Sequence, residues 1–119
     1  HIGSGENRWA NVHIDDLVPL YLLAIEKAPP GSFYFAENGE ASMREVCEAI
    51  SRMLGQGGRT GSMSVAEAAA EWGEGAAKNT MGSNSRVRAK RARADLGWAP
   101  TAPSLFDEIA RGCYAGDRA

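Results

Sequence analysis

The stretch Trp9-Ala10-Asn11-Val12-His13-Ile14-Asp15-Asp16-Leu17 decides how this chain is read. Arg8 to Ile14 reads as a short strand, with His13 held between Val12 and Ile14. Asp15-Asp16 then offers a carboxylate that can accept from the unpaired N–H groups of a helix start. From Leu17 to Lys27 the chain is helical and almost without a polar face. Leu17, Val18, Leu20, Tyr21, Leu22, Leu23 and Ile25 predict burial on most sides. Pro19 is placed in the first turn, where a missing N–H costs little. Pro29-Pro30-Gly31 ends the helix.

Outward from this stretch, Ser32 to Glu37 is short and aromatic and predicts a second strand, with a turn at Asn38-Gly39. Ser42-Met43-Arg44-Glu45 has capping-box spacing, in which hydroxyl and carboxylate each satisfy an orphan N–H. Val46, Ala49, Ile50, Met53 and Leu54 follow at helical spacing, and Gly55 suits the C-terminal cap. After a glycine-rich loop, Ser64-Val65-Ala66-Glu67 repeats the capping box and opens an alanine-rich helix ending near Trp72-Gly73. Residues 74–85 are weakly patterned. A short helix spans Ala89 to Leu96 and closes at Gly97. A last helix runs from Ser104 to Arg111 and ends at Gly112.

The chain has 119 residues, which suits one domain, 1–119, with flexible ends at 1–5 and 114–119. Its 44% hydrophobic and 24% charged content is that of a globular domain and not of a disordered one. The longest apolar stretch, Leu17 to Ile25, is about half a membrane span, so no membrane association is expected. Cys47 and Cys113 stand far apart with no CxxC, which fits a reducing cytoplasm and neither a disulfide framework nor zinc. The start at His1-Ile2-Gly3-Ser4-Gly5 lacks the pattern of a signal peptide and reads as a trimmed start or part of a longer chain. Net charge is −2, yet Arg86, Arg88, Lys90, Arg91 and Arg93 crowd together. A nucleic-acid reader could use such a run. With an acidic remainder and no interleaved aromatics, a solvated helix face is the better reading, and no nucleic-acid partner is expected.

The motifs of cofactor chemistry are incomplete. Gly3-Ser4-Gly5-Glu6-Asn7-Arg8 lacks the third glycine of a dinucleotide fingerprint and precedes a strand, and Gly57 to Ser62 lacks a P-loop lysine. Tyr21, Tyr34 and Tyr114 are followed four residues later by Ile25, Asn38 and Arg118, so none forms a Tyr-x-x-x-Lys proton shuttle. His13 is read as structural, a buried strand histidine, because no partner that would orient it for catalysis is visible. Asp15 and Asp16 point apart and do not form an acid pair, and no metal site is expected.

The opening stretch resembles the strand-to-helix segment in the C-terminal half of extended short-chain dehydrogenase/reductases, the NAD-dependent epimerase/dehydratase family. Leu22-Leu23-Ala24-Ile25-Glu26, Gly31-Ser32-Phe33-Tyr34-Phe35 and the capped helix at Ser42–Leu54 resemble the elements that follow in that family. Ala92-Arg93-Ala94-Asp95-Leu96-Gly97-Trp98-Ala99-Pro100 resembles its late K-A-x-x-x-L-G-W-x-P segment. The resemblance spans about residues 3–112.

It implies an α/β fragment, mostly helical with two or three short strands. This would be the C-terminal lobe of a Rossmann-type epimerase/dehydratase without the nucleotide-binding half. It implies that strand 32–37 completes a Rossmann sheet edge. With that half missing, apolar surface is left for a homo-oligomer or a complementing Rossmann half. NAD or NADP serves the full-length family, and neither is expected to bind this chain alone, which carries no catalytic residue.

Arg8, Trp9, Asn11, Asn84, Ser85 and Arg86 are the candidate contacts to a small-molecule, sugar-like substrate. Trp9 stands where nucleotide-sugar epimerases of the family place a phosphate-binding Arg, which argues against a nucleoside-diphosphate sugar. Arg88 stands in place of a small capping residue and predicts fraying at the start of the late helix. A stand-alone, non-catalytic binding or assembly module derived from the same fold is the alternative function.

Overall fold

The computed structural model describes residues 1–116. Its elements in order are β1 (Arg8–Ala10), α1 (Ile14–Lys27), β2 (Glu40–Ser42), α2 (Met43–Met53), α3 (Val65–Trp72), a π-helical turn (Ala76–Met81), α4 (Lys90–Leu96), α5 (Leu105–Arg111) and a 3-10 turn (Cys113–Gly116). This is a small α/β fold, about half helical, around one two-stranded antiparallel sheet.

The sheet differs from expectation. β1 is shorter than the strand predicted over Arg8–Ile14, and its partner is β2, with Arg8 opposite Ser42 and Ala10 opposite Glu40. On its other edge β1 meets residues 84–85: Ala10 N–H donates to Ser85 O at 2.8 Å and Ser85 N–H to Arg8 O at 2.9 Å. Both edges of β1 are thus occupied by segments distant in sequence.

Ser32–Glu37 is extended but belongs to no ladder. Two guanidiniums bind its carbonyls instead. Arg91 Nη1 donates to Phe33 O (3.1 Å) and Arg93 Nη2 to Glu37 O (2.9 Å), and the same guanidiniums stack on Tyr34 and Trp98. Alternation survives: Tyr34 and Ala36 pack inward, while Phe33 and Phe35 face solvent.

α1 begins three residues before its expected start because His13, not an aspartate, is its N-cap; the ring Nδ1 accepts from Asp15 N–H at 3.1 Å. Pro19 therefore lies beyond the first turn. Only one stripe of the helix is covered. Leu20, Leu23 and Ala24 pack on Ala89, Ala92, Leu96 and Trp98, whereas Val18, Tyr21, Leu22 and Ile25 are exposed, Ile25 to 80%. The expectation of burial on most sides is corrected: an all-apolar sequence needs two covering surfaces, and the chain supplies one.

α2 and α3 form as predicted, each with a complete capping box from Ser42/Glu45 and Ser64/Glu67. α4 ends on Gly97 at φ +70°, a left-handed position that a side chain would strain. Its N-cap, Ala89, offers no side-chain cap, and Glu37 Oε2 accepts the Ala89 N–H at 3.2 Å from across the fold. Ser104 caps α5, as expected.

A second, small core joins Ile2 with Ala68 and Ala77. Residues 1–5, expected to be loose, are tied to it: Gly3 N–H donates to Met63 O at 2.8 Å, and Met63 N–H to His1 O at 3.0 Å. Of the other expected loose end, residues 114–116 form part of the 3-10 turn, and 117–119 lie outside the described residues. Two small cores leave much surface open. The radius of gyration is 16.8 Å, against about 13.5 Å for a compact domain of this length. No helix among the described residues is long and apolar enough to cross a membrane.

Candidate functional site

The six residues singled out from sequence come together around β1. Arg8 backbone N–H donates to Asn84 Oδ1 at 2.8 Å, a contact spanning 76 positions in the chain. Ser85 forms the ladder with Arg8 and Ala10 described above, and Trp9 bridges to it. Asn11 closes the end of the strand: its N–H donates to Gly39 O (3.0 Å) and its carbonyl accepts from Asn38 N–H (2.8 Å). Gly39 has φ +146°, a backbone conformation that a side chain would strain, and a Cβ there would come within 2.9 Å of Asn11 Oδ1.

The pleat divides this group between two faces. Trp9 turns one way and its indole N–H donates to Ser83 O at 2.9 Å. Arg8 turns the other way, and there three guanidiniums meet one carboxylate. Glu40 accepts from Arg8 Nε at 2.8 Å, Arg86 Nε at 2.9 Å and Arg88 Nη1 at 2.9 Å. Its side chain is only 12% exposed, whereas those of Arg8, Arg86 and Arg88 are 37%, 53% and 46% exposed. Hydrogen bonds from Arg86, Arg88 and Arg8, in that order, hold the Glu40 carboxyl down from 4.5 to about 2. The carboxylate stays ionised and fixes three cations around itself.

Sequence reading missed Glu40 and Arg88 as members of this group. Glu40 follows an Asn-Gly turn and carries no signal of its own. Arg88 sat in the basic run read as a solvated face. In the structure most of that run is held by specific acceptors: Arg86 and Arg88 by Glu40, Arg91 by Phe33 O and Asp95, and Arg93 by Glu37 O and Asn38.

A cleft of about 520 Å³ opens beside Asn11, between the start of α1 and α5. His13, Asp15, Leu105, Glu108 and Cys113 also line it. The structure moves His13 from the expected strand to the N-cap position and supplies the partner that the sequence did not reveal: Nε2 lies 3.5 Å from Glu108 Oε1. Because Nδ1 accepts from Asp15 N–H, a neutral ring carries its proton on Nε2, facing the carboxylate. Glu108 also accepts the Cys113 N–H at 3.0 Å. That bond and the Cys113 thiol lower the carboxyl, with His13 a smaller cause, and the same carboxylate raises the thiol. A raised thiol is a poor nucleophile. Asp15 and Asp16 part as expected: the Asp15 side chain faces solvent and Asp16 is buried. Among the described residues no group of three or more His, Cys, Asp or Glu is placed to hold a metal ion.

No family model and no solved structure matches the chain. Three curated proteins resemble it. Oxidase ucsJ of an Acremonium species is 32% identical over 129 aligned residues, covering 91% of this chain and 36% of that protein. An uncharacterized protein of Schizosaccharomyces pombe is 29% identical, covering 96% of this chain and 38% of its own length. Another from Saccharomyces cerevisiae is 29% identical, covering 92% and 36%. The chain thus spans a little over a third of the length of the curated relatives it matches.

Proposed function

We propose that this chain is the C-terminal substrate-binding portion of an NAD(P)-dependent epimerase, dehydratase or reductase, and that it performs no catalysis by itself. The observation that carries the reading is the meeting of Arg8, Trp9, Asn11, Asn84, Ser85 and Arg86 around β1. Two segments about 75 positions apart gather there into a polar, hydrogen-bonded neighbourhood, with Trp9 on one face of β1 and Arg8 and Arg86 on the other. Such convergence of donors and acceptors suits orientation of a small polar substrate. Hydride chemistry would come from NAD or NADP on a Rossmann half. This portion would bind and orient the substrate carbon against the cofactor. Similarity to part of a longer protein named an oxidase agrees in kind with redox chemistry.

The uncovered face of α1, together with exposed Phe33 and Phe35, supports a covering partner: the Rossmann half, or a second copy of this chain. Cys47 and Cys113 are both free thiols, which suits the proposed cytoplasmic location.

The test is to extend the source reading frame upstream of His1 and to assay its product. The expected result is a strand followed by a glycine-rich turn upstream. The longer protein should bind NAD(P) or NAD(P)H, with net oxidation of NAD(P)H by a carbonyl substrate marking a reductase and a cofactor recycled within each turnover marking an epimerase or dehydratase. A start codon just before His1, or a longer protein that binds no dinucleotide, overturns this reading in favour of a non-catalytic binding module.

A further inference from the structure

Glu40 is surrounded by more positive charge than it can neutralise. Three guanidiniums against one carboxylate leave a surplus of two charges. Glu45, which approaches Arg8 Nη1 at 3.7 Å, offsets part of it, although that carboxylate is already held by Ser42 in the α2 capping box.

The guanidinium edges matter as much as the charge. Arg86 gives only Nε to Glu40, and Arg88 gives only Nη1, to Glu40 and to its neighbour Val87 O. Among the described residues both terminal nitrogens of Arg86 and Nη2 of Arg88 have no protein acceptor. Glu40 lies beneath and the arginines lie half in solvent, so the carboxylate orients the forks in advance. The entropic cost of ordering three long side chains is met before any ligand arrives.

We propose that Arg8, Arg86 and Arg88, held by Glu40, form a binding site for the phosphate group of a small-molecule phosphomonoester. This rests on the reading of Arg8 and Arg86 as substrate contacts and adds the class of substrate. A phosphomonoester carries about −1.5 to −2 charges and three acceptor oxygens, which suits the surplus and the number of forks. A lone carboxylate would satisfy less of either. The site lies on the opposite face of β1 from Trp9, so it is separate from the position where the resembled epimerases bind a nucleotide phosphate.

The experiment titrates inorganic phosphate into the chain at constant ionic strength, observing the arginine Nε–H signals by NMR. Arg86→Gln, Arg88→Gln and, as a distant control, Arg111→Gln are run in parallel. The expected result is saturable shifts at Arg8, Arg86 and Arg88, with affinity lowered at least about tenfold in each of the first two variants. Arg111→Gln should bind like the parent. Both test residues are half exposed, and two independent variants with unchanged thermal melting separate lost binding from lost folding.

Linear, unsaturable shifts overturn the proposal, as does equal weakening by Arg111→Gln. Acetate binding as tightly as phosphate overturns it too, and so does binding of single-stranded DNA without binding of free phosphate. A longer dinucleotide-binding protein that ignores phosphate would refute the substrate class alone. A chain that binds phosphate but has no dinucleotide-binding context would refute the function alone.

Discussion

Trp98 donates its indole N–H to the backbone carbonyl of Asp16 at 2.8 Å, within the buried contact between α1 and the segment that follows α4. The same aspartate, 5% exposed, turns its carboxylate to that segment and accepts from Thr101 N–H (2.7 Å) and Ala102 N–H (3.0 Å). One residue at the start of α1 thus holds the exit of α4 through both its main chain and its side chain.

Asp16→Ala strips two backbone donors of their acceptor and should destabilise the fold by about 2–3 kcal/mol. Asp16→Asn keeps one acceptor oxygen and should cost less. Urea unfolding followed by Trp fluorescence measures both, and equal, small losses would show that water satisfies these donors.

Glu40 makes stability depend on acid. Its carboxyl is lowered from 4.5 to about 2 in the fold, so between those values the unfolded chain binds more protons than the folded one. The stabilising contribution is complete above 4.5 and is lost as pH falls toward 2. Glu45, Glu67, Asp107 and Glu108 are lowered as well, so the acid loss is shared. Urea midpoints across this range should fall less steeply for Glu40→Gln than for the parent; parallel curves would contradict the assignment.

Ser42 ends β2 and caps α2, its hydroxyl accepting from Glu45 N–H at 3.2 Å while Glu45 Oε2 accepts from Ser42 N–H at 2.7 Å. Ser42→Ala should cost about 1 kcal/mol. The reading is chemical denaturation together with a loss of helical circular dichroism on heating.

Self-association should follow from the open stripe of α1. Static light scattering is expected to give a mass above the 12.7 kDa of one chain. Val18→Glu and Ile25→Glu, which change only exposed positions, should return it to the monomer without lowering the melting temperature. A monomeric parent at all concentrations would count against the proposed partner face.

Much of the helical content was legible because helix ends are local chemistry. Ser42 and Ser64 each meet a glutamate three residues on, and Gly97 takes the one backbone conformation that closes α4. The neighbourhood of the candidate site was legible in part. Arg8, Asn84 and Arg86 were named and do meet, but Glu40, on which two of them converge, carried no local signal.

By itself, then, the sequence determined where most helices stop and start, because those hydrogen bonds close within three or four residues. Only the tertiary structure decided that β1 pairs with β2 and residues 84–85 and not with Ser32–Glu37, that His13 caps α1, and that three arginines share Glu40. The physical reason is range. An extended segment satisfies its backbone with whatever lies beside it, and here arginines of α4 reached the carbonyls of 33 and 37 in place of a neighbouring strand.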